Sequence, residues 1–187
     1  MCRDAAGVAR GSSRPWYART RPWRSPLNGR SFGRQTVVRM DLDIRPARET
    51  DLTGVLRLYS QLGMNDGRVL AEDAAADIFR RIASYPRYRI YVATTNQTVV
   101  GTFALLVMDN LAHMGAPSAI VEDVCVDEGS RGQGIGKIMM RFAMKLAAQN
   151  GCYKLTLSSS LARTEAHEFY RSLGFEQHGI SFLVNVT

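Results

Sequence analysis

Seven residues in the second half of the chain have the make-up of an anion cradle: Arg131, Gly132, Gln133, Gly134, Ile135, Gly136 and Lys137. They stand between a strongly apolar, strand-like run and the best amphipathic helix of the sequence. The first turn of a helix leaves backbone N–H groups unpaired and carries the positive end of the macrodipole, so it suits a phosphate. Glycines let the backbone approach a bulky anion and take up positive φ, and Arg131 and Lys137 add charge. A pyrophosphate-bearing cofactor is the natural ligand. Two well-known phosphate loops do not fit. A Walker loop needs glycine where Arg131 stands and Ser or Thr where Ile138 stands. A Rossmann fingerprint needs Gly or Ala at Lys137 or at Met139, depending on which glycine begins it.

The apolar run before the loop, Ala119 to Val126, is interrupted by Glu122 and Asp123. Read as a strand, it places Glu122 in phase with Val124 and Val126. A carboxylate there is a water-linked general base, an anchor for a substrate ammonium, or a rim acid paired with a basic neighbour. Strand alternation sends Asp123 to the opposite face, as a structural residue. His113 falls in a loop, where it binds substrate, acts as a base or is an ordinary surface histidine. His167 faces away from the apolar stripe of its helix and is expected in solvent. Cys125, inside the apolar run, reads as a buried inert thiol. Three cysteines without C-x-x-C spacing and three histidines without metal spacing argue against a disulfide framework or a zinc site, so no metal is expected.

The elements that must position these groups alternate from Met40 onward. Residues 42–46 read as a first strand, and Thr50 as the cap of a helix with the stripe Leu52, Val55, Leu56, Tyr59 and Leu62, ended by Gly63. A second helix is expected from Leu70 to Ala83. Strands follow at Tyr88–Val92 and Val99–Met108, with Asn96 in the turn between them, and then a loop over 109–118. After the 119–126 strand, Ile135, Ile138, Met139, Phe142, Ala143, Leu146 and Ala147 mark a long helix stopped by Gly151. Lys154–Ser158 is a short strand, Thr164–Leu173 a last helix, and Phe175–Val186 a terminal hairpin with Gly179 near its turn. This is an α/β pattern with a mixed sheet.

The chain has 187 residues, 45% of them apolar, and a formal charge of +7. No run approaches the ~18 apolar residues of a membrane helix, so no membrane partner is expected. The charge is uneven. Residues 1–39 hold nine arginines and one acid, leaving 15 basic and 16 acidic groups for residues 40–187. The net basicity therefore gives no reason to expect a nucleic-acid partner for the domain. The segment 1–39 reads as a disordered arm or an extension preceding a start at Met40. Its composition also resembles an organellar transit peptide. The cysteine usage suits a reducing compartment, and the domain is expected in the cytoplasm unless the arm redirects it.

The pattern Arg131-x-x-Gly134-x-Gly136 resembles the pyrophosphate loop of the GNAT superfamily, the acetyl-CoA-dependent N-acetyltransferases. Ile120–Val126 resembles the fourth strand of that family, and Ala166–Phe175 its late helix and following strand. The resemblance covers residues 40–187. It implies a mixed, mostly antiparallel sheet of six to seven strands flanked by about four helices. It also implies acetyl transfer from acetyl-CoA to a primary amine by direct attack in a ternary complex. The fourth strand would splay from the fifth near Val124, Cys125 and Val126, whose backbone would hold pantetheine and polarise the thioester carbonyl. Residues 131–137 would hold the pyrophosphate, and Tyr170 matches the family's acid for the departing thiolate. Two branches are most similar. Glucosamine-6-phosphate N-acetyltransferases share a histidine, a Glu-Asp pair and Gly-Cys-Tyr-Lys, here His113, Glu122-Asp123 and Gly151–Lys154. Aminoalkylphosphonate N-acetyltransferases share the surroundings of Ala166-His167 and Gly174–Gln177. Both imply a small amine substrate, with His113 and Asp123 as candidate substrate contacts, and a homodimer joined through C-terminal strands. A protein N-terminal or lysine acetyltransferase and a non-catalytic CoA-binding module are the alternatives. In one place the chain departs from the family: Arg163 stands where many members have an asparagine near pantetheine.

Overall fold

The computed structural model describes residues 41–63 and 67–186. The Arg-rich segment 1–39 and Met40 lie outside the described residues. Five strands form one sheet in the order β1-β2-β3-β4-β5: Leu42–Pro46, Tyr88–Thr95, Thr98–Met108, Ser118–Val126 and Leu155–Thr156. The first four are antiparallel to their neighbours and β5 runs parallel to β4. Helices α1 (Leu52–Ser60) and α2 (Glu72–Ser84) precede β2, α3 (Ile135–Gln149) links β4 to β5, and α4 (Thr164–Ser172) follows. A parallel pair needs such a crossover helix.

Each face of the sheet is buried by the stripe of a helix. Met139, Met140, Ala143 and Ala147 of α3 pack on Phe103, Leu105, Val107, Ala119 and Val121. On the other face, Val55 and Leu58 of α1 pack on Val92, Val99 and Cys125. The approach of α3 needs Gly101, because a Cβ there would lie 2.5 Å from the Met139 sulfur. The β2–β3 turn at Asn96 and Gln97 has φ of 48° and 65°, the positive values of a two-residue type I′ hairpin.

Three expectations need correction. Thr50 does not cap α1. It lies inside a 3-10 turn, Glu49–Asp51, and the Asp51 carboxylate does the tying instead. That carboxylate accepts Arg45 Nη1–H and Nη2–H at 2.7 and 2.9 Å and the Arg48 N–H at 2.6 Å. The hydrogen bond from Arg45 holds the Asp51 acid below its ordinary range. Next, β5 is two residues long rather than five, because only Ala119↔Leu155 and Ile120↔Thr156 are paired. Finally, Phe175–Val186 forms no hairpin, so the sheet has five strands among the described residues instead of six or seven. An extended backbone becomes a strand only beside a partner. These residues lie free of the sheet, with Phe182 90% and Leu183 88% exposed.

Candidate active site

The loop between β4 and α3 has the geometry of an anion cradle. Gly132 and Gly134 take φ of 76° and 81°, and a Cβ on either would meet nothing within 4 Å. Gly134 is the N-cap of α3 with no side-chain cap, and the first hydrogen bond of the helix runs from Ile138 N–H to Gly134 O at 3.1 Å. The N–H groups of residues 135–137 therefore lack helical acceptors at the helix start, a geometry that suits an anion. Lys137 is exposed, as is Arg131, which holds Glu128 at 3.6 Å. The remaining loop residues divide the work. Gln133 Nε2 donates to Gly129 O at 3.3 Å, steadying the loop. The Ile135 side chain is buried in the core, leaving only its N–H for a ligand. Gly136 is also a packing glycine, since a Cβ there would lie 3.3 Å from the Phe169 ring of α4.

The loop is tied to α1 by residues that the sequence reading passed over. Arg57 pairs with Asp127 and donates to Val99 O at 2.8 Å, and Gln61 Nε2 donates to Asp127 at 3.2 Å. Gln61 Oε1 accepts the Glu128 N–H at 3.1 Å. The Arg57 and Gln61 bonds hold the Asp127 carboxyl below its ordinary range. The available signal was their spacing: residues four apart share a helix face, and both lie off the apolar stripe.

A cleft opens where β4 and β5 part. Beyond Ile120↔Thr156 the two strands no longer pair, so the β4 edge from Val121 to Val126 has no β5 backbone against it. A cleft of about 300 Å³ fills this fork. Glu122, Asp123 and Val124 form one wall and Leu157–Ser160 the other, with Arg163, Ala166 and Tyr170 across the end and Leu62 at the margin. The fork begins earlier than the expected 124–126 and includes that stretch.

A β-bulge arranges the acidic wall. Thr102 pairs with Cys125 and Ala104 with Glu122, so Phe103 alone opposes both Asp123 and Val124. Asp123 absorbs the extra residue at φ 53°. Two expectations fail for this reason. Alternation does not send Asp123 away from Glu122, because the bulge puts both in the cleft. Nor is Glu122 in phase with Val124 and Val126, which pack with Val121 against the α3 cluster. Burial raises both acids above their ordinary range, and Asp123 adds to the shift of Glu122. Tyr170 is half-buried, edge-on to Phe169 and Phe175 at 5.2 and 5.8 Å. It is at once a core residue and a cleft residue. Burial raises its phenol, Arg163 draws it back and Glu122 raises it further.

Other candidates lie apart from the cleft. His113 stacks on Tyr153 with ring centroids 4.2 Å apart, beside the start of β4, and is not among the cleft's lining residues. His167 is not free in solvent: its Nε2 lies 2.9 Å from Ser160 O and steadies the loop before α4. Cys125 is buried with Sγ 3.3 Å from Leu58 O, and burial raises its thiol. Among the described residues, no three His, Cys, Asp or Glu side chains gather to hold a metal ion.

Comparison with known proteins matches this geometry to a family. Residues 53–175 match the acetyltransferase (GNAT) family model. A glucosamine 6-phosphate N-acetyltransferase of Trypanosoma brucei brucei is 30% identical over 142 residues, 74% of this chain and 92% of the relative. An aminoalkylphosphonate N-acetyltransferase of Salmonella typhimurium is 30% identical over 140 residues, 75% of this chain and 88% of the relative. Among solved structures, a putative acetyltransferase from Agrobacterium tumefaciens superposes with a TM-score of 0.73 at 34% identity, covering 76% of this chain and 99% of that one. A phosphate cradle at the start of a helix, a fork between two parallel strands and this breadth of similarity have one common explanation: the chain belongs to the GNAT family and is an acetyl-CoA-dependent N-acetyltransferase.

Proposed function

We propose that the acceptor is the primary amine of a small molecule, of the amino-sugar or aminophosphonate kind, and that it attacks the thioester directly in a ternary complex. The observation that carries this reading is the pair Glu122 and Asp123, held side by side by the bulge in the same cleft as Tyr170. Two carboxylates there attract an ammonium, and at least one can take its proton. The two relatives named above act on small amines, which supports the same class.

Acetyl-CoA supplies an acetyl group activated as a thioester. In this reading the N–H groups of residues 132–137, with Arg131 and Lys137, hold its pyrophosphate. The open β4 edge at Val124, Cys125 and Val126 orients the pantetheine and aims one N–H at the carbonyl oxygen, where charge develops. Glu122, directly or through one water, takes the proton that makes the amine nucleophilic. Burial, with Asp123 beside it, raises this acid and so makes its carboxylate a stronger base than an ordinary glutamate. Tyr170 gives its proton to the departing sulfur.

Amines of several classes, offered with acetyl-CoA and read by thiol release, test the acceptor assignment: amino sugars and their phosphates, aminophosphonates, polyamines and peptides. Turnover of the phosphorylated or phosphonylated small amines is expected. Turnover confined to peptides would mean a protein acetyltransferase, and no release with any amine would mean a CoA-binding module. With the active amine, wild-type activity should fall as pH drops through the range where Glu122 gains its proton. That range lies above the ordinary glutamate value because burial raises this acid. Glu122→Gln should lose this acid limb and roughly 100-fold in kcat; an unchanged limb rules out Glu122 as the base.

The C-terminal segment supports a homodimer. Ile180, Phe182, Leu183, Val184 and Val186 are 80–90% exposed, and no described strand pairs with the far edge of β5. A second copy would cover both. Light scattering of the intact chain should give twice 20.8 kDa. Phe182→Asp with Val184→Asp should return the monomer mass, and a monomeric wild-type protein would refute the pairing.

A further inference from the structure

Acetyl transfer creates negative charge in a place poorly suited to it. The amine lone pair forms a C–N bond at the carbonyl carbon, and the C–S bond breaks with its electrons going to sulfur. In the reading above, the sulfur takes the Tyr170 proton, and Glu122 passes to solvent first the proton that frees the amine and then the one the nitrogen loses once the C–N bond has formed. Solvent then carries a proton back to Tyr170. A thiolate or a phenolate therefore appears, briefly, in a cleft already lined by Glu122 and Asp123. Without a cation nearby, like-charge repulsion and partial desolvation would both raise the barrier.

One cationic side chain lines this cleft among the described residues, and it is Arg163. Its position is set from three sides. As N-cap of α4 its carbonyl accepts the His167 N–H at 3.1 Å, and its own N–H donates to Ser160 O at 3.0 Å. Its guanidinium reaches across to the end of α1 and donates from Nη2 to Leu62 O at 3.3 Å. Arg163 and Tyr170 line the same cleft, Arg163 from the N-cap of α4 and Tyr170 from its last turn. That helix also touches the anion cradle, where Gly136 meets Phe169. Arg163 closes the end of the cleft at the start of α4, and the two acids form the β4 wall.

We propose that Arg163 is the electrostatic partner of the leaving group, stabilising the negative charge that appears on the CoA sulfur and on Tyr170 as the C–S bond breaks. The proposal rests on the acetyl-transfer reading of this cleft and deepens it. Arg163 forms no bond in the step and moves no proton. The charged groups lining the cleft around Tyr170 are Glu122 and Asp123 from β4 and Arg163 itself. Of these, Arg163 alone favours an anion, in keeping with the opposite pulls of Arg163 and Glu122 on the phenol.

The test uses free CoA and no acceptor, so its outcome does not depend on which amine is the substrate. CoA is bound to the full-length protein, and the thiolate absorbance is followed against pH for wild type, Arg163→Gln and Arg163→Lys. Removing the charge should move the bound thiol's midpoint upward by roughly half a pH unit, about a threefold loss of thiolate at fixed pH. Arg163→Lys should stay near wild type. Should the Gln variant not fold, Arg163→Met makes the same comparison, and a Lys midpoint shifted as far as theirs would remove the charge argument. Equal midpoints in wild type and the neutral variants would overturn the proposal. So would a variant with an unchanged midpoint whose KM rises only for amines bearing a phosphate, because Arg163 would then be an acceptor anchor. An amine panel that shows no small-molecule turnover, alongside a shifted midpoint, would sink the acceptor assignment and leave Arg163's role standing.

Discussion

The single extra residue that β4 carries opposite Phe103 sets the terms for the rest of the site. A bulge bends its strand and increases the local twist. Here it falls just beyond Glu122, the stretch in which β4 and β5 have already ceased to pair. In one place it does two jobs. It brings Asp123 round to join Glu122 in the cleft, and it returns Val124 and Val126 to the α3 face, where they help bury the helix start. Without the extra residue, either the acids would be divided between the two faces or the valines would leave the core.

Helix α1 and the phosphate loop depend on this strand as well. Asp127 follows β4 immediately, and its carboxylate collects Arg57 and Gln61 from α1, while Arg57 also binds the β3 backbone. The bridge ties the start of the loop to α1 and to β3. Leu62, in the turn just beyond α1, lines the cleft, and Arg163 reaches its carbonyl. A short series of polar contacts therefore joins the glycine loop, the end of α1 and the start of α4 around one fork in the sheet. Pre-organised donors of this kind are what acyl transfer requires, because they need no rearrangement when charge appears.

Much of this was legible in the sequence wherever periodicity and turn chemistry act alone. The stripe of α3, the glycine loop before it and the Asn96 turn were each set by local rules. The two most informative features were not. A bulge at a non-glycine residue leaves the apolar pattern almost intact while shifting its phase, so Asp123 was placed on the wrong face. The Arg57–Asp127 bridge joins residues 70 positions apart, and nothing in either neighbourhood announces the other. The terminal segment failed for a different reason: its residues have strand character, but a strand needs a neighbour, and none of the described strands lies beside it. His113 was grouped with the acids by resemblance, and within one chain it stacks on Tyr153 away from the cleft.

The open edge of β4 and the start of α3 together form the proposed cradle of the cofactor. Hydrogen–deuterium exchange, with and without CoA, tests it residue by residue. In the free protein, the amides of Val124, Val126 and residues 135–137 should exchange readily, since no β5 backbone or helical acceptor protects them. CoA should slow all of them, while amides of β1 and β2 stay unchanged. Protection that appears elsewhere and leaves both the β4 edge and residues 135–137 as before would contradict the cradle.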